Sequence, residues 1–368
     1  MAPRVLILTA SVGEGHDLPA RMLADGLRSE RSDADVVIED GLVAMGRLIT
    51  TFSESGPRVV FFHPALRWVW DLTFVLLVRF APLRALTQRA LVRIGGPGIL
   101  ALIERVQPDV VVSVYPHTTE VLGRLRRTGR LHVPAVGVVT DLSAMRFWSA
   151  RGIDLHEITH PESIAEIRRV AGSETRIEPV RGLTAPEFYE ARDRAEARAA
   201  VGIPADGKLV VVSGGGWGVG DILGAAEAAL EPGEVGHVAC LCGRNDGLRA
   251  QVRERFEGNP RVHPVGFTDQ MSDWLAAADA LIHSTAGLTA LEAIMRGCPV
   301  ISYGWGRGHI RLNNAAFERF GLAHVVTSRH DLVEALQRAL ASRPGPDLSF
   351  ASLPTAASLV LEYARDGA

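Results

Sequence analysis

Cysteine is scarce, three in 368 residues, which excludes a disulfide scaffold. Cys240 and Cys242 alternate within a strand-like run and share one face, while Cys298 stands beside Pro299. No ligand-spaced set of histidines and cysteines completes a zinc site, so no metal is expected and a reducing cytosol is the expected home. A basic excess is lacking as well. The 39 Lys and Arg against 42 Asp and Glu leave a net charge of −3, which excludes a general nucleic-acid binder with a basic phosphate-gripping surface. Long apolar runs are missing too: none reaches the ~18 residues of a membrane span. The nearest, 68–83, is broken by Asp71, Arg79 and Pro82. The opening MAPRVLILTA is short for a signal-peptide core and reads as a first buried strand. Short-period repeats and low-complexity tracts are absent.

What is present is a 47% hydrophobic, 22% charged chain of mean hydropathy +0.13, enough for two buried cores and too apolar for disorder. Short apolar runs alternate with helix-length amphipathic ones, the mark of parallel α/β architecture. Strands are predicted at 5–9, 36–39, 110–114 and 135–140, then at 209–213, 237–242, 261–265, 280–283 and 299–302. Each half opens with a strand running into a glycine-rich turn, first Ser11-Val12-Gly13-Glu14-Gly15-His16 and then Ser213-Gly214-Gly215-Gly216-Trp217-Gly218. This predicts two Rossmann-like domains, 1–181 and 182–345, with breaks at Gly182 and Pro186 and at 342–346. The remaining 346–368 is expected to be helical and to pack back on the first domain.

Gly13 and Gly15 let a ligand approach the backbone, and the following helix offers its N-terminal amides. Leu18 breaks the G-x-G-x-x-G dinucleotide fingerprint, although Glu39 stands where a ribose-binding acid is expected. A histidine at a helix N-terminus is kept neutral and basic, which makes His16 a candidate base; a capping or purely structural histidine is the plainer reading. The densest block runs from Gly266-Phe267-Thr268 through Asp279, Ile282-His283-Ser284-Thr285-Ala286-Gly287-Leu288-Thr289 and Glu292 to Gly297 and Pro299. There a strand ends at His283, a small-residue turn presents amides to an anion, and Thr289 and Glu292 share a helix face. A carboxylate one turn from a phosphate site can accept from ribose hydroxyls. Between 58 and 94, aromatic residues (Phe61, Phe62, Trp68, Trp70, Phe74, Phe80) are interleaved with Arg58, Arg67, Arg79, Arg84, Arg89 and Arg93. That is either a pair of core-packing helices or a surface for anionic lipid. Asp33 and Asp35 precede the second strand and read as a turn.

With these segments in hand, the chain resembles the two-domain GT-B glycosyltransferases of the monogalactosyldiacylglycerol synthase and processive diacylglycerol glucosyltransferase group and, more distantly, MurG. The likeness runs through VLILTASVGEGHDLPA, QPDVVVSVYP, VGVVTDLSAMRFW, VVVSGGGWGVGD, LCGRND, the block above and GRGHIRLNNAAFERFGLA. It implies two Rossmann-like domains facing a central cleft. By position, His16 matches the acceptor-activating histidine and Asp141 a cleft aspartate. Gly214, Gly215 and Gly216 match a diphosphate-side loop, and Phe267 and Thr268 the uracil-contacting turn. Ala286, Gly287, Leu288 and Thr289 match the anion turn, Glu292 the ribose acid, and 308–313, with His309 and Asn313, the donor-sugar loop.

Three places in the chain depart from the pattern. Met145 stands where relatives have histidine, Ser284 where they have a basic residue, and Arg307-Gly308-His309-Ile310 where they have Pro-Gly-Gln-Glu. A cation lost at 284 predicts another nearby, from His283, Arg307 or Arg311. The expected reaction moves a hexose from a UDP-sugar, with no other cofactor, to a lipid acceptor such as diacylglycerol with inversion. The expected location is cytoplasmic, peripheral on an anionic inner membrane face, with no nucleic-acid partner. The alternatives are a MurG-like transferase acting on a polyprenyl-linked sugar, a non-catalytic nucleotide- or lipid-binding descendant, and an NAD-dependent oxidoreductase, which the failed fingerprints disfavour.

Overall fold

The computed structural model describes residues 2–10, 14–51, 53, 72, 74, 76, 80–304, 306 and 308–366. Its backbone divides into two compact units, Met1–Ala185 with Leu353–Ala368, and Pro186–Ser352.

The first unit is a six-stranded parallel sheet in the order β2-β1-β3-β4-β5-β6. Its strands are β1 Arg4–Thr9, β2 Asp35–Asp40, β3 Val110–Ser113, β4 Ala135–Val139, β5 Leu155–Ile158 and β6 Arg176–Pro179. The helices connected to it are α1 Glu14–Glu30, α2 Gly41–Met45, α3 Ala81–Val106, α4 Pro116–Arg127 and α5 Ile164–Ala171. Strand β1 is an unbroken apolar run because helices cover both of its faces. Val5 and Ile7 face Leu23, Leu27, Leu359 and Val360 on one side. On the other, Leu6 and Leu8 face Leu42, Ile99, Leu122 and Leu125, the two-residue alternation of a pleated strand.

The second unit is another six-stranded parallel sheet, in the order β12-β11-β10-β7-β8-β9. Its strands are β7 Lys208–Ser213, β8 Val235–Leu241, β9 Val262–Val265, β10 Ala280–His283, β11 Val300–Tyr303 and β12 His324–Val326. Among its helices are α6 Arg194–Ala200, α7 Ile222–Ala229, α8 Asp246–Arg255, α9 Met271–Ala277, α10 Leu288–Met295, α11 Gly308–Arg319 and α12 Arg329–Ala341. Its core joins Val210, Val212, Cys240 and Ile282 to Ala225, Leu332 and Leu336. Two arginines, the buried Arg296 and the half-buried Arg343, brace its base. Arg296 donates to the carbonyls of Glu187 and Glu190 and to Ser272, and Arg343 donates to those of Gly297, Ala276 and Arg296. The last helix, α13 Ala356–Asp366, belongs to the first unit, where Arg181 and Ala356 bond backbone to backbone at 2.9 Å.

Three strands escape the sequence reading: β5, β6 and β12, of four, four and three residues. Strand β5 carries His156 and Glu157 inward, both fully buried, and β6 carries Arg176 and Glu178 joined as an ion pair at 3.1 Å. Neither shows an apolar alternation that could announce it. The proposed donor-sugar loop at 308–313 proves to be the opening of α11.

Candidate functional site

In the first unit the site grows from strand pairing. β1 and β3 run parallel, with Leu8 opposite Ser113 and the Val114 amide donating to the Leu8 carbonyl at 2.9 Å. The ends of both strands therefore meet at the carboxyl edge, where open α/β sheets bind ligands. Thr9 closes β1 by donating its hydroxyl to Asp17 at 2.8 Å, which fixes the first turn of α1. That turn carries His16, half-buried, with Nδ1 2.8 Å from the Val114 carbonyl. A carbonyl only accepts, so in the neutral ring the proton sits on Nδ1 and the lone pair on Nε2.

Beyond His16 runs a chain of rings in edge-to-face contact. His16 meets Tyr115 at 5.0 Å, Tyr115 meets His117 at 5.3 Å, and His117 meets Phe147 at 6.1 Å. His117 was not singled out from the sequence, although it stands just past a strand end, as His16 does. Burial, followed by the nearby charge of His16, pushes its pKa down to about 4, so it stays neutral. Phe147 holds a left-handed backbone, φ 79°, a conformation rare for an aromatic residue and often found at functional sites. Asp141 lies half-buried just past β4, at the same sheet edge. Gly15 is exposed, while Gly13 lies outside the described residues.

In the second unit the carboxyl edge is made of backbone. Gly214, Gly215 and Gly216 follow β7, but they enter a short 3-10 turn, and α7 starts only at Ile222, capped by Asp221. No helix amides are offered there. Crowding explains Gly214 and the nearby Gly243: a Cβ on Gly214 would lie 2.3 Å from the Val219 carbonyl, and one on Gly243 2.4 Å from the Gly216 carbonyl. The neighbouring turn after β10 leans on the same loop. Ser284 donates to the Val219 carbonyl at 2.7 Å, and a Cβ on Gly220 would meet its hydroxyl at 2.4 Å. Ala286 then takes φ 48°, and Gly287 caps α10 without a side-chain bond. The first amides of α10 follow directly, and a helix start is where unpaired N–H groups face outward.

Several expectations change here. His283 cannot supply the missing cation. It is buried, its Nδ1 lies 3.0 Å from the Ser213 carbonyl and its Nε2 2.7 Å from the Thr285 hydroxyl. Burial pushes its pKa down to about 4, so the ring is neutral. Arg311 is exposed on α11, and Arg307 lies outside the described residues. Glu39 is paired with Arg105 at 2.8 Å on the surface. Asp33 and Asp35 pair with Arg31 and Arg4 at 2.9 and 2.6 Å. Leu288 and Thr289 are half-exposed on α10, and Glu292, on the same helix, is 4% exposed. On α11, His309 is half-exposed and Asn313 fully buried.

The sequence reading of Phe267 and Thr268 falls on a cavity of about 680 Å³ whose walls include Arg244, Asp246, Arg249, Phe267, Thr268 and Trp274. Thr268 accepts from the Gln270 amide at 3.1 Å, which shapes the turn. Phe267 is 52% exposed, and the Arg244 guanidinium lies over its ring at 3.8 Å, a contact worth about 0.5–1 kcal/mol at an exposed site.

With both edges described, comparison with known proteins becomes informative. Residues 82–183 match the family model for monogalactosyldiacylglycerol (MGDG) synthase, and residues 217–342 that for glycosyl transferases group 1. The chain has the GT-B fold and is similar to the monogalactosyldiacylglycerol synthases. It is 29% identical to a probable monogalactosyldiacylglycerol synthase 2 of Oryza sativa subsp. japonica, over 82% of this chain and 66% of that protein. It is 24% identical to a processive diacylglycerol beta-glucosyltransferase of Bacillus pumilus, over 92% of this chain and 86% of the relative. The fold matches spinosyn rhamnosyltransferase SpnG at TM-score 0.60 with 14% identity, covering 98% of this chain and 99% of that one. It matches Acinetobacter baumannii MurG at 0.59 with 15% identity, covering 99% of each.

Proposed function

We propose that the chain transfers a hexose from a UDP-sugar to the hydroxyl of diacylglycerol, with inversion at the anomeric carbon. The observation that carries this reading is the 2.8 Å contact of His16 Nδ1 with the Val114 carbonyl, which leaves Nε2 as the basic nitrogen. In this reading Nε2 takes the acceptor proton as the hydroxyl oxygen attacks, and the bond from the anomeric carbon to UDP breaks as the new one forms. A positioned base of this kind contributes about 10²–10⁴-fold. Asp141 supports the charged ring, and Gly13 and Gly15 give the acceptor room against the backbone.

The donor's diphosphate meets the amides at Gly287, Leu288 and Thr289, with Ala286 setting their direction and Gly214, Gly215 and Gly216 flanking it. Phe267 and Thr268 take the uracil and Glu292 the ribose. His309 and Asn313, at the opening of α11, are the residues for the sugar in this reading, and Arg307, outside the described residues, is a candidate for the phosphates. No resident cofactor takes part in this scheme. The acceptor is met at an anionic inner membrane face. Support for that comes from Phe80, Leu86 and Ile94, exposed beside Arg89 and Arg93 at the start of α3. Phe74, by contrast, is buried. No helix among the described residues is long and apolar enough to cross a membrane.

The test is incubation with a panel of UDP- and GDP-sugars and dispersed diacylglycerol, read by mass spectrometry. A glycosyl-diacylglycerol is expected. Transfer only to a polyprenyl-linked sugar would favour the MurG-like reading, and neither transfer nor hydrolysis of any donor would favour a non-catalytic descendant.

A further inference from the structure

The cavity beside Phe267 and Thr268 has a second arginine in its wall, Arg249. It stands early in α8 and is half-buried. Its Nε donates to the Pro264 carbonyl of β9 at 3.3 Å. Its guanidinium lies against the Gly266 backbone, where a Cβ would come within 3.2 Å of Nη1. Gly266 therefore keeps that seat clear, immediately before Phe267. The Pro264 bond straps α8 to β9 and uses Nε alone. Nη1 and Nη2 make no hydrogen bond or ion pair with any described residue. A guanidinium stays charged at any working pH, and half-burying its donors without acceptors costs free energy that a ligand can recover.

We propose that Arg249 reads the nucleobase of the donor, its Nη groups donating to the O4 carbonyl of a uracil held at the Phe267-Thr268 turn, so that UDP is selected over CDP. The proposal rests on the donor-site reading above and deepens it. Place in the sheet separates this role from a grip on the phosphates. In the order β10-β7-β8-β9, three strand spacings of about 4.8 Å set the end of β9 about 14 Å from that of β10. The turn after β10 takes the diphosphate in that reading, so the far end of the nucleotide, its base, is what reaches β9. Charge points the same way. Asp246 and Asp269 line this cavity too, and they oppose a phosphate there but not a neutral base. Phe267 and Trp274 add apolar wall for a flat ring. Arginine has donors only. Uracil O4 accepts from it, whereas the amine that cytosine carries at that position sets donor against donor.

Calorimetric titration of the full chain with UDP, CDP and inorganic diphosphate tests this, using wild type, Arg249→Met and Arg249→Lys. Wild type should prefer UDP to CDP about tenfold or more, the scale of a hydrogen bond to a charged donor. Arg249→Met should bring that ratio to within about twofold by weakening UDP binding. Its affinity for inorganic diphosphate should stay as in wild type, which also shows that the variant is folded. Arg249→Lys keeps the charge without the planar fork and should fall between the two; it carries the test if Arg249→Met does not fold. A ratio of UDP to CDP affinity equal to wild type in the variants overturns the proposal and leaves Arg249 a strap between α8 and β9. So does a loss of inorganic diphosphate binding as large as that of UDP, which would put the guanidinium on the phosphates. If wild type binds UDP and CDP alike, the base contact falls and the donor-site reading stands. If wild type binds none of the three, that reading falls and takes the proposal with it.

Discussion

At the carboxyl edge of the first sheet the projecting groups are rings: His16, Tyr115, His117 and Phe147. At the same edge of the second sheet they are glycine backbone and small hydroxyls, Gly214–Gly216 and 284–287. The scaffold is alike, six parallel strands with the turns at one end, but under the proposed function the two edges solve opposite problems. An imidazole must be held in one tautomer, which takes a carbonyl at fixed distance and flat neighbours to limit its rotation. A diphosphate needs many weak donors converging on it, and side chains there would only fill the space. Each sheet also buries a neutral histidine, His156 in the first and His283 in the second, and in both burial pushes the pKa down to about 4.

The sharpest way to break this comparison is at His16. His16→Ala should lower transfer by about 10²–10⁴-fold and leave UDP affinity unchanged, because the proton acceptor and the anion site belong to different units. Calorimetry beside the rate assay decides it. If UDP binding falls with turnover, the division of labour is wrong.

The second largest effect is expected at Ser284. Restoring the basic residue of relatives by Ser284→Lys would force an ammonium into the space between Val219 and Gly220, where even the serine is 5% exposed. An unpaired buried charge costs about 3 kcal/mol or more, so the unfolding midpoint should drop rather than the donor site improve. A Lys variant as stable as wild type would show that the loop can open, and would return position 284 to the phosphate.

How much of this could be read beforehand depends on whether a feature is local. Strand β10 matches its predicted bounds, and β1 is off by one residue, because a helix-covered strand is a continuous apolar run. The turn after β10 and the histidine after β1 are local too, short motifs that follow strand ends. The contact of Arg244 with Phe267 is not, since the two come together only through the pairing of β8 with β9. The neutrality of His283 was hidden for the same reason: its Nδ1 partner, the Ser213 carbonyl, ends β7 and comes beside it only through the pairing of β7 with β10.

A smaller effect follows from that neutrality. The folded pKa of His283 lies below the unfolded value near 6.5, so the unfolded chain takes up the proton first as pH falls. Stability is then full above about pH 6.5, lost progressively down to about 4, and flat below. The buried ring alone sets a change worth about 3 kcal/mol over that window. In His283→Asn, whose amide can still donate but does not titrate, acid unfolding of the second unit should be shallower between those limits. An identical pH profile for wild type and variant would mean that His283 is already solvated or paired when protonated.

The smallest effect tests whether the ring-rich unit also meets the membrane. Arg89 and Arg93 are exposed on α3 beside Leu86 and Ile94, at 59% and 51% exposure, with Phe80 at 55% just before the helix. Arg58, Arg67 and Arg79 lie outside the described residues, so α3 carries the test. Each arginine near an anionic surface contributes about 1 kcal/mol, and salt screens it. Arg89→Gln with Arg93→Gln should therefore weaken sedimentation with anionic vesicles by about an order of magnitude for the pair. Binding to neutral vesicles and stability should stay the same, since neither side chain is buried. Activity on diacylglycerol dispersed in anionic lipid should fall with vesicle binding, while UDP affinity, set in the other unit, is untouched. If the double variant sediments as wild type does, the apolar residues of α3 are not a lipid contact, and the charge asymmetry of 58–94 reflects only a solvated helix face.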